Sequence, residues 1–334
     1  MRRHLILLAL ASSWPWMGCA SHESFQTSVL RPAEFDLARY QRIAIDRFDG
    51  AACDAFVTEL SDALRSMPTQ ATEEHFDLVD RRDVDRLIDD MRRYPSLANE
   101  PDTPLAKWQL AQLVIGGTIR QHEVIENVST VERKNAKNPD QEVEHVRVRQ
   151  ARALVGVTII AKSNDGNEIL DRIDIDESTS SQVESKVGEP PHIDHAALLS
   201  AARSKVVDRY LLRIAPHREN AFVRLLTSDD LPQIQLGNGY ARAGNWTLAL
   251  EQFEAAEQMA SGELAEQQYV AAYNRGIALL YLDRFPEARQ AIERAYAASR
   301  DESMLRDLQT VERRAADHAR LQEQMRTAAP GQQD

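Results

Sequence analysis

The sequence predicts an α/β domain, a mixed sheet flanked by helices, followed by an all-α domain of repeated helical pairs. Three observations carry this reading. Residues 236–295 hold one pattern twice: Leu236-Gly237, Tyr240, Gly244, Ala249, Phe253 and Ala256, then Gly276, Leu279, Ala288, Ile292 and Ala295. Gly237 to Gly276 is 39 positions, and Ala249 to Ala288, Phe253 to Ile292 and Ala256 to Ala295 keep that offset. Between residues 42 and 214, short apolar runs of strand character alternate with stretches of helical spacing, the pattern of an α/β sheet. The front of the chain is different again and reads as an address rather than as part of the fold.

Residues 1–18 are that address. Arg2 and Arg3 precede the apolar run Leu5-Ile6-Leu7-Leu8-Ala9-Leu10-Ala11, and Met17-Gly18-Cys19 closes it. A basic start, a short apolar core and a small residue at the break make a secretory leader. The run falls far short of the roughly 20 residues a membrane-crossing helix needs. Residues 19–38 are polar and without period, and read as a tether. Only two cysteines exist, so no disulfide framework is available, and Cys53 is expected on a buried helix face. The formal charge of −12 becomes −14 once Arg2 and Arg3 are removed. Such an acidic chain lacks the clustered Lys and Arg that phosphate contacts require, which argues against a nucleic-acid partner. With 334 residues, 43% of them hydrophobic, two domains can each bury a core.

The α/β domain is expected over 39–216. Arg42-Ile43-Ala44-Ile45-Asp46-Arg47-Phe48 reads as a buried strand, and 54–67 as a helix with Phe56, Val57, Leu60, Ala63 and Leu64 on one face. Phe76-Asp77-Leu78-Val79 is a second strand, after which Asp83 is a candidate cap for a helix burying Val84, Leu87, Ile88 and Met91. A further helix enters through Pro104, whose missing N–H is harmless in a first turn. Residues 113–119 make a third strand, with Gly116-Gly117 marking a bulge or a close backbone approach. Residues 121–150 are heavily charged, and 134–140 read as a mobile loop. Residues 153–161 and 169–175 are strands around the turn signal Asn164-Asp165-Gly166. Residues 178–191 look like a polar linker, and 195–214 an amphipathic helix stopped by Pro216.

The helical domain is expected over 217–326, with turns at Gly244-Asn245-Trp246 and Asp283-Arg284-Phe285-Pro286, a closing helix at 302–326 and a disordered tail at 327–334. Its two copies resemble the tetratricopeptide repeat (TPR), with an insertion around Ser261-Gly262-Glu263; Arg275 stands where such units place Leu. That resemblance implies a concave face that grips a protein segment, with Asn238, Arg242, Asn274 and Tyr281 turned inward.

Gly18-Cys19 resembles the lipobox of bacterial lipoproteins, which implies acylation of Cys19; Ala20 after it implies the outer membrane, facing the periplasm. Residues 42–48, Phe76-Asp77-Leu78-Val79-Asp80-Arg81-Arg82-Asp83-Val84 and Val114-Ile115-Gly116-Gly117-Thr118-Ile119 resemble the periplasmic domain of the CsgG-type envelope lipoproteins over about 40–215. That family includes a secretion channel, but charges between 121 and 150 fall on both parities. Arg or Lys on a lipid-facing strand costs roughly 2–4 kcal/mol near the midplane, which excludes a barrel hairpin there.

No catalytic motif is present. Gly116-Gly117 lacks the Lys-Ser/Thr of a phosphate loop, Glu189, Pro190 and Pro191 make a loop leading to a cap at Asp194 between His192 and His195 rather than a metal-binding helix, and no nucleophile elbow occurs. The expectation is a non-enzymatic envelope lipoprotein without cofactor or metal. It would be a protein-binding or assembly adaptor acting through the repeats and held to the membrane through Cys19. Two alternatives are a ring-forming, homo-oligomeric component of a secretion or assembly complex, and a regulator of a cell-wall synthase.

Overall fold

A computed structural model of the chain describes residues 21–67, 77–94, 103–133, 144–165 and 168–327. The leader, Cys19, the loop at 134–140 and the tail from 328 onward lie outside these residues. The chain divides into two compact units. One holds residues 30–217 with the chain's end from 319, and the other holds residues up to 29 with 218–318.

The first described element, β1 (His22–Arg31), falls mainly in the second unit. The first unit is a mixed sheet made from β2 (Arg42–Asp49), β3 (Asp77–Asp80), β4 (Leu113–Arg133), β5 (Glu144–Ser163) and β6 (Ile169–Ser185), in the order β3-β2-β4-β5-β6. β2 runs parallel to both β3 and β4, while β4, β5 and β6 form an antiparallel meander. Alternation along β2 explains why helices cover both faces. Ile43 and Ile45 point to one side, where α1 (Cys53–Ser66) contributes Phe56, Leu60 and Leu64, and α4 (His195–Ile214) contributes Ala202, Val206 and Tyr210. Ala44 points to the other side, with Val84 of α2 (Arg81–Arg93) and Leu105 and Trp108 of α3 (Pro104–Gln109). Each fully buried Leu, Ile or Phe in these layers contributes about 1.5–3 kcal/mol of transfer free energy. Gly117 is required by close approach: a Cβ there would fall 1.9 Å from the Thr158 carbonyl oxygen and 2.8 Å from the Phe48 ring.

Several expectations change. Residues 22–31, expected within the tether, form a strand. α2 is capped by Asp80, whose side chain accepts from the Arg82 N–H at 2.9 Å, rather than by Asp83. β4 does not stop near 119: it continues through the charged stretch to Arg133 and pairs with β5 along its length. The count of charges excluded a lipid-facing strand, not a strand in water. The segment read as a linker from 178 is strand up to Ser185, because polar cross-strand pairs replace apolar ones. Gln150 donates to Gln182 at 2.8 Å, Arg152 to Ser178 at 3.1 Å and Arg133 to Glu184 at 2.6 Å.

The second unit contains β7 (His217–Leu226) for almost all its length, then α5 (Pro232–Arg242), α6 (Trp246–Met259), α7 (Gln268–Tyr281), α8 (Phe285–Ser299) and most of α9 (Ser303–Thr327). β7 lies where helical repeat was expected to begin. It pairs with β1 in a two-stranded ribbon. The Thr227 N–H donates to the Ser21 carbonyl at 2.9 Å, so the start of β1 lies beside the end of β7 and the pair is antiparallel. The last turns of α9 belong to the first unit, where Gln324 accepts from the Ala33 N–H at 3.0 Å and donates to its carbonyl at 2.9 Å.

Candidate peptide-binding groove

The helical pairs close on small residues. In α5, a Cβ on Gly237 would sit 2.4 Å from the Phe253 ring of α6; in α7, one on Gly276 would sit 2.6 Å from Ile292 of α8. Phe253 and Ile292 are themselves 39 positions apart, so the duplication in sequence is a duplication of contacts. Gly244, at φ +79°, makes the first turn, and Asn245 caps α6 by accepting from the Leu248 N–H at 3.1 Å. In the second pair Pro286 occupies the first turn of α8. Arg275, the departure from the repeat pattern, pairs with Glu257 of α6 at 2.8 Å and so ties the two pairs together.

Of the four residues expected to face a partner, Asn238, Arg242 and Asn274 meet the β1–β7 ribbon of the same chain, and Tyr281 reaches it only through Trp246. Asn238 is 2% exposed and Asn274 fully buried. The Leu226 N–H donates to Asn274 Oδ1 at 2.8 Å, and Asn274 Nδ2 donates back to the Leu226 carbonyl at 2.9 Å. Asn238 Nδ2 donates to that same carbonyl at 3.1 Å, and its Oδ1 accepts from Asn274 Nδ2 at 3.1 Å. Two carboxamides thus satisfy both main-chain groups of one residue and each other. Arg242 pairs with Glu23 of β1 at 2.6 Å. Tyr281 stacks on Trp246 with ring centroids 4.3 Å apart, and Trp246 stacks on Phe25 of β1 at 6.2 Å.

Sequence reasoning missed a second cluster, because its centre is on the unforeseen strand. Arg224 of β7 lies over the Tyr273 ring, 5.2 Å from its centroid, and donates to Asp307 at 3.2 Å and to the Tyr273 hydroxyl at 3.3 Å. Asp301 stands 3.6 Å from the guanidinium. Burial raises the Asp307 carboxyl above its usual range, against the opposing pull of Tyr273 and Arg224. Burial likewise drives the Tyr273 hydroxyl up, so it stays a neutral donor, here to Asp307 at 2.9 Å. These groups make a pocket for a cation between α7 and α9. Val223, Leu225 and Leu226 are buried around it, while Phe222 is 77% exposed, so the strand is gripped only over its last four residues.

In the sheet unit, His195 at the start of α4 lies 2.7 Å from Glu126 of β4, and Arg149 pairs with the same carboxylate. The hydrogen bond from His195, then that from Arg149, holds Glu126 below the usual carboxylate range. His192 is exposed. Asp194 caps α4 by accepting from the Ala197 N–H at 3.0 Å. Cys53 is the first residue of α1, half-buried against the core. Among the described residues no group of three or more His, Cys, Asp or Glu could hold a metal, and no helix is long and apolar enough to cross a membrane.

No family model matches the chain, and no curated protein matches it. Among solved structures, a PelC dodecamer from Paraburkholderia phytofirmans in space group P6 is similar at 12% identity and a TM-score of 0.25, covering 57% of this chain and 98% of that one. A substituted form of the same dodecamer in space group C2 gives 11% identity and a TM-score of 0.24, covering 55% and 96%. Likenesses this distant carry no argument about activity or assembly.

Proposed function

We propose that the chain is a non-enzymatic envelope lipoprotein, CsgG-like in its α/β unit and TPR-like in its helical unit, that works as a protein-binding or assembly adaptor. Acylated Cys19 holds it at the outer membrane, facing the periplasm, and raises its effective concentration for partners there. The supporting observation is the pair Asn238 and Asn274, whose carboxamides converge on the main chain of an extended segment at Leu226. Contacts to backbone amide and carbonyl read a polypeptide of any sequence, which is what a peptide-holding groove requires. Crosslinking in cells from photoreactive residues at positions 242 and 281 tests this reading. Adducts to a second protein are expected, and their absence from both positions would remove the adaptor. Mass analysis of the mature N-terminus tests the anchor, with a triacylated Cys19 expected.

A second reading, a ring-forming structural component, has its own support. Among the described residues β4 pairs with β2 only as far as Thr118, so its remaining length to Arg133 has β5 on one side alone. Unpaired strand edges of this length are templates for another copy. Light scattering on the mature chain separates the two: a stable ring favours this reading, a monomer the adaptor.

A further inference from the structure

Building on the adaptor reading, we propose that the groove's partner is an extended segment carrying aliphatic–Arg–aliphatic–aliphatic, and that Val223-Arg224-Leu225-Leu226 occupies its place in cis. The groove is built as a slot for such a segment. Burying two carboxamides is costly unless a polar partner completes them, and the main chain of Leu226 is that partner for both Asn238 and Asn274. Fully satisfied, such a network fixes one register for the strand it holds. Two residues before Leu226, the Tyr273 ring with Asp301 and Asp307 forms a seat whose chemistry asks for a planar cation. Spacing between the seat and the clamp fixes a register, Arg at one position and a gripped backbone two residues on. The apolar surroundings of Val223 and Leu225 set the flanking positions.

The strand can leave more easily than the helices can part. A two-stranded ribbon is marginal by itself in water, and β7 is exposed from Arg218 to Asn220 and again at Phe222. The resident strand is tethered and holds the advantage of a high effective concentration, so an incoming segment that offers the same register takes its place once the resident's hold is weakened.

The probe is a fluorescein-labelled peptide of residues 220–229 of this chain, titrated into the full-length protein. In the Arg224→Ala protein the resident strand loses its side-chain hold while the seat stays intact. That protein is expected to bind the peptide at least about tenfold more tightly than the unsubstituted one, and to bind a peptide with the same substitution at least about tenfold less well. A folded Arg224→Ala protein that binds the peptide no better than the unsubstituted chain overturns the inference. Hydrogen exchange on the unsubstituted chain needs no variant. Amides of 223–226 exchanging by local opening, well ahead of the interior of α7, support it. Exchange of both only through global unfolding overturns it. Peptide failure alongside intact crosslinking at positions 242 and 281 removes this inference alone, whereas lost crosslinking removes the adaptor reading beneath it.

Discussion

The two sheets of this molecule live under opposite conditions. The five-stranded sheet has helices on both faces of β2 and brings its own core, with Ile43, Ile45, Leu113 and Ile115 fully buried. The β1–β7 ribbon has only two strands, and what holds it is the inner surface of the helical pairs. The first sheet is a scaffold; the second is a guest. Cohesion in the sheet unit is therefore spread over many apolar contacts, while the ribbon adds a few specific polar ones at Arg224 and Leu226 to the burial of Val223, Leu225 and Leu226. Removing one contact should loosen the ribbon far more selectively than the sheet.

Predictions from this contrast run from severe to slight. Phe56→Ala empties a buried site in the sheet unit and should cost about 3–5 kcal/mol, read by urea unfolding. Amide exchange in β7 should be unaltered by it at sub-global level. Asn274→Ala leaves the Leu226 N–H without its acceptor and should cost about 1–3 kcal/mol. Its damage should be local, with 223–226 exchanging faster while β2 and β4 keep their protection; uniform loosening of both sheets would contradict the distinction. Gly237→Ala drives a methyl into the Phe253 ring and should cost about 1–3 kcal/mol through overpacking of the first helical pair.

The Asp307 carboxyl, raised by burial, makes the helical unit sensitive to pH. A carboxyl with a higher pKa in the folded than in the unfolded chain holds its proton more tightly when folded. Its stabilising contribution is complete below the unfolded value and is lost as pH rises through the raised one. Relative to Asp307→Asn, whose side chain does not titrate, the unsubstituted protein should therefore lose stability as pH rises from the acid side through the carboxylate range. Paired unfolding curves on either side of the carboxylate range check this, and a pH-independent difference would refute it. At the slight end, Glu184→Gln breaks the exposed pair with Arg133 on the sheet and should shift stability by at most about 1 kcal/mol.

The helical pairs and the central strands were legible in the sequence because their signals are local. The 39-residue offset, the turns at Gly244 and Pro286, and the apolar face of α4 with its cap at Asp194 all lie within a few turns of chain. Strands with remote or polar partners were not legible. β1 fully buries only Val29, with Phe25 half-buried, and finds its partner about two hundred residues later. β6 is read through Ser178, Ser180 and Gln182, residues that suggest a linker until β5 is placed beside them. The resemblance to the repeat implied that Asn238, Arg242, Asn274 and Tyr281 turn to one face. What fills that face was hidden, because the chain's own contribution at Leu226 is main chain, and main chain carries no sequence signal.

β1 starts at His22, three positions after Cys19. Fully extended, three residues reach only about 10 Å. If Cys19 is acylated as proposed, the lipid would therefore hold the start of β1 on a leash of about 10 Å. Any pull between bilayer and protein would arrive first at the strand beside β7, making the anchor itself a handle on the groove.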